Sequence, residues 1–201
     1  LHSFPTRRSS DLESVYFEFL NKFKAALLAL KVGDPMDNET ELGPLVSEEA
    51  LTNLLDQINR SVKAGARIEL GGRRIDRSGA YMEATILSDI NKNNPVYSQE
   101  LFGPVALLFK VRTVEEAISL ANDTSYGLGA SIFTSDIRQG KLIADQIDSG
   151  MVFINHPTWT QADLPFGGTK RSGYGRELSE FGTEEFVNKK LIRTSLLTDP
   201  F

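Results

Sequence analysis

The residues of this chain best suited to chemistry lie in "QELFGPV", residues 99–105. The carboxylate of Glu100 comes just before a Gly-Pro pair and an apolar run, where a strand start has no need of an acid. Pro104 restricts Gly103 to extended or turn geometry, so the backbone from Glu100 onward is stiff. A carboxylate on a stiff path can accept two hydrogen bonds from a vicinal diol, and a ribose offers one. Phe102 falls on the same side two residues on and can present a flat apolar surface to a ring. Each residue alone has an ordinary alternative: Glu100 as a solvated acid and Phe102 as core.

A second candidate is the glycine-rich piece 167–175, with Lys170, Arg171 and Arg176 around it. Bare backbone N–H groups and positive charge suit a phosphate. Neither G-x-x-x-x-G-K-[ST] nor G-x-G-x-x-G after a strand occurs, however, and the spacing favours a tight multi-turn loop held by glycines. Other chemistries are excluded by composition. There is no cysteine, so there is no disulfide and no thiolate metal site, and two histidines, His2 and His156, cannot form a histidine cluster.

These residues need elements to position them. Apolar residues at three- and four-residue spacing predict a helix from Glu13 to Lys31, ended by Gly33. Ser47 is placed to cap a second helix whose buried stripe is Leu51, Leu54, Leu55, Ile58 and Val62. "ARIEL", "YMEATILSDI", "PVALLFKV", "GLGASIFT" and "MVFIN" read as extended. Helices are predicted from the Thr113/Glu116 capping box to about Asn122 and from Asp136 to Ile147. The alternation predicts an α/β fold: a mostly parallel open sheet with flanking helices. A long loop leaves strand 151–155, and such loops at strand carboxyl ends are where ligands bind in these sheets. "EEFVNKKLIRTS" predicts a lone strand that must find another sheet, with another subunit as one source.

The net charge of −5 argues against nucleic acid as partner, and no apolar run is long enough to span a membrane. The opening "LHSFPTRRSSDL" has no apolar core of a secretion signal and is set aside from the fold as foreign or mis-joined. A reducing, cytoplasmic setting fits the lack of cysteine.

Taken in order, "GDPMDNETELGPLVS", "QELFGPV" and "MVFIN…LPFGGTKRSGYGRELSEFG" resemble the C-terminal catalytic part of the aldehyde dehydrogenase superfamily, from about Glu13 to Ser195. In detail the chain looks most like succinate-semialdehyde dehydrogenases. The resemblance implies a partial catalytic domain over 13–184, an oligomerisation strand over 185–195 and a tail over 196–201. It further implies a parent enzyme oxidising a small aldehyde to a carboxylic acid with NAD or NADP, as a homo-oligomer. By position, Glu100 would bind the nicotinamide ribose and Phe102 would pack beside the ring. Asn155, Thr160 and Phe166 would line the aldehyde pocket. The family's nucleophile is a cysteine, assisted by a glutamate base. Neither catalytic residue is carried by this chain, which is expected to be inactive alone. The same fold kept as a non-catalytic binding or oligomerisation module is the alternative, and an unrelated α/β domain is a third.

Overall fold

The computed structural model describes residues 8–198. Its main unit is a four-stranded sheet in the order β1-β4-β3-β2, with β1 Arg8–Leu12, β2 Arg67–Leu70, β3 Thr85–Ser88 and β4 Val105–Val111. β1 and β3 run parallel to β4, and β2 is antiparallel to β3. Helix α1, Glu13–Leu28, covers one face through Tyr16 and Leu20 against Ile86 and Leu108. Helix α2, Glu48–Lys63, covers the other through Leu51, Leu54 and Ile58 against Leu87, Leu107 and Phe109. The strand residues split by parity: Ile86 and Leu108 face α1, while Leu87, Leu107 and Phe109 face α2, as the two-residue period of a strand requires. Leu51 and Ile58 are fully buried, each contributing about 1.5–3 kcal/mol. α3, Val114–Asn122, packs on β1 and β4.

The remaining elements form a second, smaller set. β6, Gly129–Ile132, pairs in parallel with β7, Met151–Ile154, and α4, Ile137–Ala144, crosses between them. β5, Tyr126–Gly127, pairs antiparallel with β8, Thr169–Lys170, and a short α5 spans Ser179–Glu184. Parallel pairing dominates as expected, but hydrogen bonding divides the strands among three sheets instead of one.

The helix starts follow local side-chain chemistry. Ser47 Oγ accepts from Ala50 N, Thr113 Oγ1 from Glu116 N, and Asp136 Oδ1 from Arg138 N and Gln139 N. Three details differ from the sequence reading. Residues 8–12, part of the stretch set aside from the fold, form the edge strand β1; with no apolar alternation, only backbone pairing marks it. The tail expected as a strand over 185–195 forms none: 188–196 belong to no helix or strand, because an isolated strand has no edge to bond. α5 had no capping or periodic signal.

Candidate functional site

Glu100 lies in the crossover from β3 to β4, just before β4 begins. Asn94 starts this crossover from a buried position, its Nδ2 donating to Ser61 O at 2.9 Å and its Oδ1 accepting from Val96 N, which opens a 3-10 turn at Pro95–Tyr97. The turn after Glu100 is stiff, as Pro104 implied. Gly103 N donates to Leu101 O at 2.9 Å and Val105 N to Gly103 O at 2.8 Å, two successive three-residue turns. Gln57 Nε2 of α2 donates to Glu100 O at 3.2 Å. The Glu100 carboxylate itself has no hydrogen-bond or ion-pair partner among the described residues and is half-buried. Phe102 is 63% exposed, so it is not core. An unpaired acid on a fixed backbone, with a bare ring two residues on, can receive a ligand's hydroxyls and stack on its ring.

The other three candidates lie in the loop after β7. Asn155 takes a left-handed conformation at φ 55°. Its backbone N donates to Ile132 O at 2.7 Å, its Oδ1 accepts from Thr134 N and its Nδ2 donates to Thr134 O, both at 2.8 Å. The side chain thereby extends the β6–β7 ladder by one rung, which is a framing role at the loop's origin. Thr160 is half-buried at the loop's centre. Phe166, also half-buried, exchanges backbone hydrogen bonds with Glu177 at 2.8 and 2.7 Å, closing the loop on itself. His156 lies between Phe153, tilted to it at a ring separation of 6.0 Å, and Trp159, edge-to-face at 6.3 Å.

The glycine-rich stretch is a knot, and its cations are occupied. Lys170 Nζ bonds Asp148 Oδ2 at 2.9 Å, Asn122 O at 3.1 Å and Thr124 O at 3.3 Å. Arg176 Nη1 donates to the carbonyls of Gly168, Tyr174 and Gly175 at 2.8–3.2 Å. Arg171 stacks on the Tyr126 ring. A phosphate would have to break these bonds, so the structural reading of 167–175 holds.

Among the described residues no hydrogen bond or ion pair joins the Glu100 turn directly to the Phe166 loop, but both are tied to the end of α3. Tyr97 OH donates to Asp123 Oδ2 at 2.7 Å, and Lys92 Nζ lies 2.7 Å from the same carboxylate. The bonds from Lys92 and Tyr97 hold the Asp123 carboxyl below its ordinary range. One residue earlier, Asn122 Oδ1 accepts from Asp148 N and its Nδ2 donates to Gln146 O, while its carbonyl receives Lys170. Sequence reasoning passed over Gln57, Asn122 and Asp123, which carry no local signature of what they hold. A concavity of about 530 Å³ beside Tyr16, Lys24, Glu69 and Lys110 touches none of the candidate residues. Among the described residues no acid–histidine group could hold a metal, and no helix is long and apolar enough to cross a membrane.

Comparison with known proteins matches these residues to one family. The sequence model of the aldehyde dehydrogenase family covers residues 6–192. The chain is 45% identical over 187 residues to succinate-semialdehyde dehydrogenase [NADP(+)] of Deinococcus radiodurans, covering 93% of this chain and 39% of that protein. Succinic semialdehyde dehydrogenase from Streptococcus pyogenes, solved in complex with NADP+, superposes with a TM-score of 0.90 at 45% identity over 94% of this chain and 41% of that one. A point mutant of betaine aldehyde dehydrogenase from Staphylococcus aureus, in complex with NAD+, gives 0.85 at 33% identity over 90% of this chain and 38% of that one. The chain thus spans about two fifths of the length of the relatives it matches.

Proposed function

The chain belongs to the aldehyde dehydrogenase family, and from that premise we propose that it is the C-terminal catalytic portion of an enzyme oxidising succinate semialdehyde, or a similar small aldehyde, to the carboxylic acid with NAD(P)+. The observation that carries this reading is the unpartnered Glu100 carboxylate on its stiff turn, with Phe102 bare beside it. Glu100 accepts the two hydroxyls of the nicotinamide ribose, and Phe102 flanks the nicotinamide. Asn155 frames the start of the aldehyde loop, Thr160 faces the substrate's distal group and Phe166 forms an apolar wall. The bound cofactor supplies hydride acceptance; these residues supply orientation. NADP+ is favoured because the succinate-semialdehyde relatives are named for it. The exposed Phe186, Leu191 and Ile192 support assembly of copies through residues 185–195, and the cytoplasm is the setting we assign.

The chain contains no cysteine, so the thiolate this reaction needs is not within it, and the chain alone should form no reduced cofactor from aldehyde and NAD(P)+. In a full-length enzyme carrying this portion, Glu100→Gln should raise the KM for NADP+ about tenfold or more, as expected for weakening two charge-assisted bonds. Turnover by the isolated chain, or unchanged cofactor kinetics in the variant, would overturn the reading.

A further inference from the structure

The Glu100 turn rests on α2 at two points that the reaction itself does not require. Gln57 Nε2 donates to Glu100 O at 3.2 Å and reaches Gln99 Oε1 at 3.4 Å. Three residues earlier, and so on the same helix face, Leu54 lies under Gly103. A Cβ at Gly103 would run into Leu54 Cδ2 and stand 3.1 Å from Leu45 Cδ2. Leu101, between these two grips, is buried in the same core cluster as Leu54 and Ile58. One polar and one apolar contact from a single helix thus fix the backbone at position 100 and three residues beyond it.

From this juxtaposition we infer that Gln57 is a positioning residue for the Glu100 carboxylate: by holding the Glu100 carbonyl, it sets the direction in which the side chain leaves the backbone. The amide is suited to this because it donates without carrying charge. The inference rests on the proposed contact of Glu100 with the cofactor ribose.

The test uses Gln57→Met, which keeps the length and apolar bulk of the side chain and removes the donor. In the chain itself, amide exchange at Gly103 should quicken roughly three- to tenfold, the size of one net hydrogen bond, while α2 amides stay protected. In a full-length enzyme carrying this portion, KM for NADP+ should rise by a similar factor with KM for aldehyde unchanged. A loss of folding alone would lower the amount of active enzyme and leave both KM values in place. In a Glu100→Gln background, Gln57→Met should add little, since it acts through the carboxylate. Unchanged exchange at Gly103, or a full additional loss in that background, overturns the positioning role. If Glu100→Gln alone leaves cofactor kinetics unchanged while Gln57→Met still loosens Gly103, the ribose contact has failed and takes the inference with it, although the Gln57 tie remains.

Discussion

Asn155 separates framing from substrate contact, because its bonds can be weighed one at a time. Its carboxamide makes two hydrogen bonds to the backbone of Thr134, and its φ of 55° lies in the left-handed region. The residue is exposed, so each bond nets near the low end for hydrogen bonds, about 0.5 kcal/mol. Asn155→Gly loses both bonds and gains unfolded-state freedom worth about 0.5 kcal/mol, for a total cost of about 1.5 kcal/mol. Asn155→Ala loses the same bonds and leaves a Cβ in the left-handed region at about 1.5 kcal/mol, for a total of about 2.5 kcal/mol. The chain's one tryptophan, Trp159, sits four residues on and reports urea unfolding by fluorescence. With a slope of about 2 kcal/mol per molar, the midpoint should fall by about 0.7 M for the Gly variant and about 1.2 M for the Ala variant. Equal midpoints for the two variants would refute the left-handed cost. Midpoints at the wild-type value for both would refute the added rung.

Two further outcomes are expected from other parts of the molecule. Glu69, with a 6% exposed side chain, holds Lys24 at 2.6 Å, Ser88 at 3.0 Å and Arg67 at 3.1 Å. Burial pulls its pKa up, but the bonds from Lys24 and Ser88 and the charges of Lys24 and Arg67 outweigh that, leaving it below its ordinary 4.5. A depressed carboxyl stabilises above its unfolded pKa and loses that contribution as pH falls through the folded one. Lys24→Met should therefore cost about 2 kcal/mol at pH 7, shrinking in acid below 4.5; an equal cost at pH 3 and pH 7, from urea midpoints, would contradict the pairing. Gly150→Ala places a methyl well inside contact distance of Gly167 O, so it should cost about 1–3 kcal/mol and speed limited proteolysis within residues 155–178, with unchanged cleavage speaking against the knot.

The parts legible in the sequence were those whose causes are local. Ser47, Thr113 and Asp136 announce helix starts because each bonds backbone N–H groups two or three residues away. The parity of Ile86, Leu87, Leu107 and Leu108 tells which face each covers once the strand is known. Pro104 announces the stiff turn. Gln57, Asn155 and Lys170 were not legible as anchors, because their partners lie 43, 21 and 48 residues away. The charge on Lys170 and Arg176 suggested a phosphate for the same reason: sequence shows a cation but not the carbonyls that occupy it. The tail's apolar residues announce a strand, but a strand is a property of two edges, and one chain supplies only one.

The last turn of α3 serves as a common reference for two groups that share no bond. Asp123 leads toward Glu100 through Tyr97, and Asn122 and Thr124 lead toward Phe166 through Lys170. Inserting or deleting one residue within α3 would swing these end groups by about 100° around the helix axis, so the Glu100 turn and the Phe166 loop would slip together. Under the proposed function, grafting the loop of a relative onto this scaffold to alter aldehyde preference would therefore call for residues 113–124 to travel with it.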